Sequence, residues 1–151
     1  MKIRKARLPD AATIADFNRR LAWETERRRL NPARINPGVR ALLRHPAKGI
    51  YYVAEGKGTI AGQLMITYEW SDWRNGNFWW IQSVYVLPEF RKQGVFRALF
   101  AHVHKLAKSN KSVCGLRLYM HAANERARRS YERQGLEHTK YEVFEMDFRS
   151  P

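Results

Sequence analysis

A single cysteine, Cys114, is all the sequence contains, which excludes an internal disulfide framework and any cysteine-based zinc cluster. Proline and glycine are sparse, at 6 and 9 of 151 residues, too few for a low-complexity or collagen-like chain. No window approaches the roughly 18 uncharged apolar residues of a membrane span. Met1-Lys2-Ile3-Arg4-Lys5-Ala6-Arg7 has charge with no apolar run behind it, so no signal peptide is expected. The five histidines, His45, His102, His104, His121 and His138, form no i, i+4 metal pair. What is present is 44% hydrophobic and 13% aromatic. A chain of this length buries roughly 70% of its unfolded surface, enough to fold without a staple. The expectation is one cytoplasmic domain over residues 1–151, with no metal and no membrane association.

Acidic residues are the other scarcity, 14 against 28 basic. The imbalance is local: residues 1–50 hold 13 basic and 4 acidic side chains, including Arg19-Arg20 and Arg27-Arg28-Arg29. Such a field attracts anions, whether nucleic acid, a lipid surface or a phosphorylated small molecule. It also describes the solvated face of an amphipathic helix. Neither zinc-finger spacing nor an aromatic ribonucleoprotein strand accompanies the charge, so an anion- or RNA-binding protein is the weaker reading.

Residues 2–6 read as a short strand, and Ile14, Phe17 and Leu21 set a helical period over about 10–29. Asn31-Pro32 and Asn36-Pro37-Gly38 punctuate the next stretch, with a second short helix ending near His45-Pro46. Ile50 to Tyr68 reads as a hairpin turning at Gly56-Lys57-Gly58, and Trp70 to Asn77 as a loop centred on Asn75-Gly76. Phe78 to Val86 is a central strand, then come a helix from about Val95 to Asn110, a strand at Gly115–Met120, a helix at Glu125–Gln134 and a last strand at Tyr141–Phe148. The order predicts an α/β chain with one mixed sheet and helices on both sides.

The most informative segment is Val84-Tyr85-Val86-Leu87-Pro88-Glu89-Phe90-Arg91-Lys92-Gln93-Gly94-Val95-Phe96-Arg97. A basic, glycine-containing turn that feeds a helix presents unpaired backbone N–H groups and the positive end of the helix dipole to an anion. Gly94 admits close approach of a phosphate, and Arg91, Lys92 and Arg97 add charge. The segment lacks the Gly-Lys-Ser/Thr ending of a P-loop and the three glycines of a dinucleotide fingerprint. On spacing alone an ordinary strand-to-helix turn fits as well.

These residues resemble the GCN5-related N-acetyltransferase (GNAT) superfamily. Its strand, V-x-V/x-P, followed by Arg/Gln-x-x-Gly-x-Gly/Ala, matches Val84-Tyr85-Val86-Leu87-Pro88 and Arg91-Lys92-Gln93-Gly94-Val95-Phe96. A second motif matches Asn124, Ala127, Tyr131 and Gly135-Leu136. The resemblance covers nearly the whole chain. It implies a mostly antiparallel mixed sheet of six to seven strands flanked by about four helices. It also implies acyl transfer from an acyl-coenzyme A, most often acetyl-CoA, to an amine. The pyrophosphate would lie on the amides of Lys92, Gln93, Gly94, Val95, Phe96 and Arg97, and pantetheine would pair with the main chain at Val84, Tyr85 and Val86. Arg91 and Asn124 belong to the same implied site.

One position departs from the family pattern: Phe96 replaces a small residue. Its ring either crowds the phosphate or packs on Phe100 one turn on, and the i, i+4 spacing favours packing. Tyr131 resembles the family tyrosine that acts as general acid to the thiolate, and Asn124 suits the N-cap of its helix. For the base, the family glutamate position nearest in this chain is Gln82, which cannot accept a proton at neutral pH. Glu69, Asp72, His121 or a water chain are the substitutes, with Glu69 first. Trp70, Trp73, Trp79 and Trp80 suggest an aromatic wall for the acceptor or a homodimer contact. Cys114 is expected just before a strand as a small packed thiol. In this fold the first two helices border the acceptor, so their charge points to a neutral or acidic amine rather than a polycation. Gln82 and Phe96 leave a second reading, a catalytically silent acyl-CoA sensor.

Overall fold

The β-branched and aromatic runs from Ile50 onward pair as the expected hairpin. Strand β2 (Ile50–Gly56) joins β3 (Thr59–Ser71) through Lys57-Gly58, both at positive φ (51° and 77°), as two-residue hairpin turns require. The computed structural model describes residues 1–151. Two compact units are present, residues Met1–Tyr119 and Met120–Pro151.

In the first unit, β1 (Lys2–Lys5), β2, β3, β4 (Gly76–Val86) and β5 (Val113–Arg117) form one sheet in sequence order. Every pairing is antiparallel except β4 with β5. That parallel step needs a crossover, and α3 (Val95–Ser109) supplies it. Helices α1 (Ala11–Glu26) and α2 (Pro32–Arg44) cover one face, where Ile14, Val39 and Tyr51 share a core. Tyr52, the next residue along β2, points the other way and meets His102 of α3 at 5.3 Å between centroids. Leu99, Phe100 and Val103 bury α3 on that second face.

Helix α1 stops where Arg27 turns left-handed (φ 52°) and donates back to Ala22 and Trp23. Asn31 caps α2 by accepting from Ala33 N at 2.9 Å. The expected break at Asn36-Pro37-Gly38 does not occur, and α2 runs through it. Ile35, Val39, Leu42 and Leu43 fall on one helical face against the α1 core, and that packing outweighs the hydrogen bond Pro37 forfeits. Arg4 ties the first strand down, bonding Asp10 at 2.8 Å and Glu55 at 2.6 Å. The guanidinium holds both carboxyls below their ordinary range.

In the second unit, α4 (Glu125–Arg133) is capped by Asn124, whose side chain accepts from Ala127 N at 3.0 Å. Gly135, at φ 89°, closes its end. The last expected strand is corrected: Tyr141–Phe148 forms no ladder, so the sheet has five strands rather than six or seven. No helix is long and apolar enough to cross a membrane.

Candidate active site

Strand β4 carries the site because its two edges are used unequally. On one side it pairs with β3 from Gly76 to Val86, while on the other β5 pairs only from Asn77 to Trp80. Past Trp80 the strands part, and that edge of Gln82–Val86 has no ladder partner. A bulge sits at the parting: the register jumps between Met65↔Gln82 and Gln63↔Tyr85, and Ser83 is left-handed at φ 51°. A serine holds that conformation only when its surroundings impose it. Here Gln63, fully buried, donates Nε2 to Ser83 O at 3.2 Å. Tyr51, which accepts from Asn18 Nδ2 at 3.1 Å, also engages Ser83. Burial pushes the Tyr51 phenol up, so it stays a neutral partner.

The turn after β4 is built from a short 3-10 segment, Pro88–Phe90, followed by Lys92 (φ 63°) and Gly94 (φ 79°) in left-handed geometry. The amides of Lys92, Gln93, Gly94, Val95 and Arg97 make no well-formed hydrogen bond within the chain, whereas Ala98 N returns to Gly94 O at 2.9 Å. Four consecutive donors and a fifth at Arg97 are thus left unpaired at the start of a 15-residue helix. Phe96 turns away from them, its ring 6.0 Å from that of buried Phe100.

Arg91 is placed differently from its neighbours. Its Nε donates to Val86 O at 2.9 Å, and its Nη2 reaches Glu24 at 2.7 Å. Glu24 also accepts from Tyr85 Oη at 3.1 Å. The guanidinium therefore braces the turn against α1, leaving Lys92 and Arg97 as its exposed cations. The Tyr85 ring is core, 5.1 Å from Phe17, so only its main chain faces the open edge.

Register assembles a lining that the linear sequence conceals. The cross-strand pairs Thr67–Trp80 and Glu69–Phe78 share one face of the sheet with Gln82. Gln82 donates Nε2 to Thr67 Oγ1 at 2.6 Å. Tyr119 packs on Trp80 at 5.9 Å, and Arg117 lies 3.7 Å over the Phe78 ring while bonding Glu69 at 2.6 Å. A side chain at Gly115 would collide with Phe78 at 2.6 Å, so glycine there permits the close β4–β5 approach. Arg117, Tyr119, Thr67 and Ser83 carry no motif signal, and only strand register brings them together.

Glu69 and Asp72 sit at the distal end of the β3–β4 hairpin. Phe78 and Gln82 are four positions apart, about 13 Å of strand. Asp72 accepts from Trp73 N at 2.9 Å. Trp70 and Trp73 are exposed, while Trp79 faces Tyr68 on the opposite side of the sheet from Trp80. Cys114 lies within β5 rather than before it, half-buried. In the second unit, His121 Nδ1 accepts from Ala123 N at 3.3 Å. Tyr131 is half-buried, and desolvation pushes its phenol up and keeps the hydroxyl protonated.

The chain matches the model of the acetyltransferase (GNAT) family over residues 10–136. Among solved structures it is similar to a possible acetyltransferase from Clostridium difficile 630, at 42% identity and TM-score 0.92 over 99% of this chain and 98% of that one. A ribosomal-protein-alanine N-acetyltransferase from Brucella melitensis biovar Abortus 2308 shares the fold at 21% identity and TM-score 0.75, over 98% and 100% of the two chains. So does a predicted acetyltransferase with acetyl-CoA from Clostridium acetobutylicum, at 18% identity and TM-score 0.78, over 97% and 95%. No curated protein matches the sequence.

Proposed function

The chain belongs to the acetyltransferase (GNAT) family, and from that premise we propose that it acts as one domain transferring acetyl from acetyl-CoA directly to an amine of a small molecule or protein. The observation that carries this is the pairing of a turn whose amides at Lys92, Gln93, Gly94, Val95 and Arg97 make no bond within the chain with the open edge of β4 at Gln82–Val86. The turn holds the diphosphate of acetyl-CoA through backbone N–H groups, aided by Lys92 and Arg97. The β4 edge takes pantetheine as an added strand, with a main-chain N–H polarising the thioester carbonyl.

In the reaction the neutral amine attacks the thioester carbon, the C–S bond breaks, and the thiolate takes a proton from Tyr131. The proton shed by the acylated nitrogen passes through water to restore the Tyr131 hydroxyl. The amine arrives deprotonated through water. Gln82 is held by Thr67 and cannot act as base, and Glu69 is paired with Arg117 about 13 Å along the strand. Direct abstraction needs contact within about 3 Å or one water, so Glu69 serves at most as the far end of a water chain. The 13 basic residues of the first 50 favour a neutral or acidic acceptor. The silent-sensor reading loses one of its two motives, because Phe96 packs on Phe100 instead of filling the turn.

Thermal unfolding with and without acetyl-CoA tests the donor. Ligand at 100 times its Kd adds about 2.7 kcal/mol, a rise of roughly 5–10 °C for a chain of this size. An unchanged midpoint at millimolar acetyl-CoA contradicts the proposal.

A further inference from the structure

Residues 27–54 hold six arginines, one lysine and no acidic side chain, and all seven cations are exposed. Of the acids in α1 before them, Asp16 pairs with Arg19 and Arg20, and Glu24 pairs with Arg91. Only Glu26 is left against the run. The proposed acetyl-CoA site makes no use of this charge, because its own cations, Lys92 and Arg97, belong to the turn after β4.

The end of α1 gives the charge a shape. Arg27 is left-handed (φ 52°), and the N–H groups of Arg27 and Arg28 return to the carbonyls of Trp23 and Ala22. The chain therefore doubles back on the last turn of the helix. Two guanidiniums come to lie over the Trp23 ring, Arg27 at 5.4 Å and Arg29 at 5.0 Å from its centroid, both within cation–π reach. The indole still has 42% of its surface open to solvent.

An open aromatic ring on a surface of one positive sign suits a single-stranded polynucleotide, whose bases stack on the ring while its phosphates meet the cations. A lipid surface would need a wider apolar face to bury. Between Leu8 and Trp70, Trp23 is the one exposed large apolar side chain. A polyanion without bases would use the charge and ignore the ring.

We propose that the corner between α1 and α2 binds single-stranded nucleic acid, with a base stacked on Trp23 and the phosphates on Arg27, Arg28 and Arg29. Helix α2 extends the cationic surface by about 20 Å, carrying Arg40 and Arg44 one turn apart. This binding is separate from acetyl transfer and does not depend on it.

Fluorescence anisotropy of a labelled oligouridylate of about 20 nucleotides, titrated with the full-length protein over a range of salt, provides the test. Changing Arg27, Arg28 and Arg29 together to Gln should weaken binding at least 10-fold. It should also flatten the plot of log affinity against log salt by about 2, since each phosphate contact on a single strand contributes about 0.7. Changing Lys105, Lys108 and Lys111 to Gln removes the same charge from other exposed positions and should leave the slope near native. Trp23→Ala should weaken binding about 10-fold at the native slope, and Trp23→Phe should keep most of the affinity. No binding at about 50 μM protein in about 50 mM salt refutes the proposal. An arginine variant with the native slope refutes it as well, by placing the contact elsewhere. Phosphatidylserine vesicles or inorganic polyphosphate bound as tightly as the oligonucleotide, with Trp23→Ala unaffected, would overturn it in favour of a general anion surface.

Discussion

Gly94→Val is expected to weaken acetyl-CoA binding by at least 100-fold. Gly94 sits at φ 79° at the mouth of α3, a conformation that costs an ordinary side chain about 1–2 kcal/mol. Within the protein a Cβ there would meet only the flexible Arg97 guanidinium, at 3.6 Å. The fold should therefore survive with a modest loss of stability. The ligand fares worse, since the added isopropyl group occupies the space a phosphate needs to reach the surrounding amides. Losing two charge-assisted hydrogen bonds costs about 3 kcal/mol, more than a factor of 100 in Kd. Gly58→Val separates the two effects: Gly58 has nearly the same φ, 77°, with open space around it and no part in the turn. Calorimetric titration should show unchanged affinity in Gly58→Val and collapsed affinity in Gly94→Val at similar melting temperatures. Equal affinities in the two variants would mean that no phosphate approaches Gly94.

Tyr131→Phe is expected to lower kcat by about 100-fold or more, the usual contribution of a positioned general acid, with little change in KM for acetyl-CoA. Burial keeps the Tyr131 hydroxyl protonated across the neutral range, so it is available as a donor and unsuited to act as a base. The departing thiolate has a conjugate acid of pKa about 8.5. Below that pH the thiolate needs a proton as it leaves, and above it the need fades. The deficit of Tyr131→Phe should therefore narrow as pH rises past about 8.5, which a packing defect would not reproduce. A variant with native kcat at every pH removes Tyr131 from the mechanism.

How legible these features are in the sequence depends on the range of the interactions behind them. The Lys57-Gly58 hairpin, the Asn124 cap and the packing of Phe96 on Phe100 are set by neighbours within four residues, so local pattern predicts them. Helix α2 runs through Pro37 because of distant contacts with α1, which no window around Pro37 contains. The partners of Glu69 and Arg91 are likewise hidden, since Arg117 and Glu24 lie 48 and 67 residues away. The bulge at Ser83 has no local glycine or asparagine to announce it, only buried Gln63 and Tyr51 from two other strands. The segment 141–148 reads as a strand because its apolar residues alternate, yet it forms no ladder.

The amides at the start of α3 are the proposed seat of a diphosphate, and the rest of the mechanism depends on them. Titrating ¹⁵N-labelled protein with coenzyme A and following the amide resonances tests this most directly. The largest shifts should fall on Gln93, Gly94, Val95 and Arg97, with a second group at Val84–Val86. Saturable binding that leaves the resonances of residues 92–97 unmoved would contradict it.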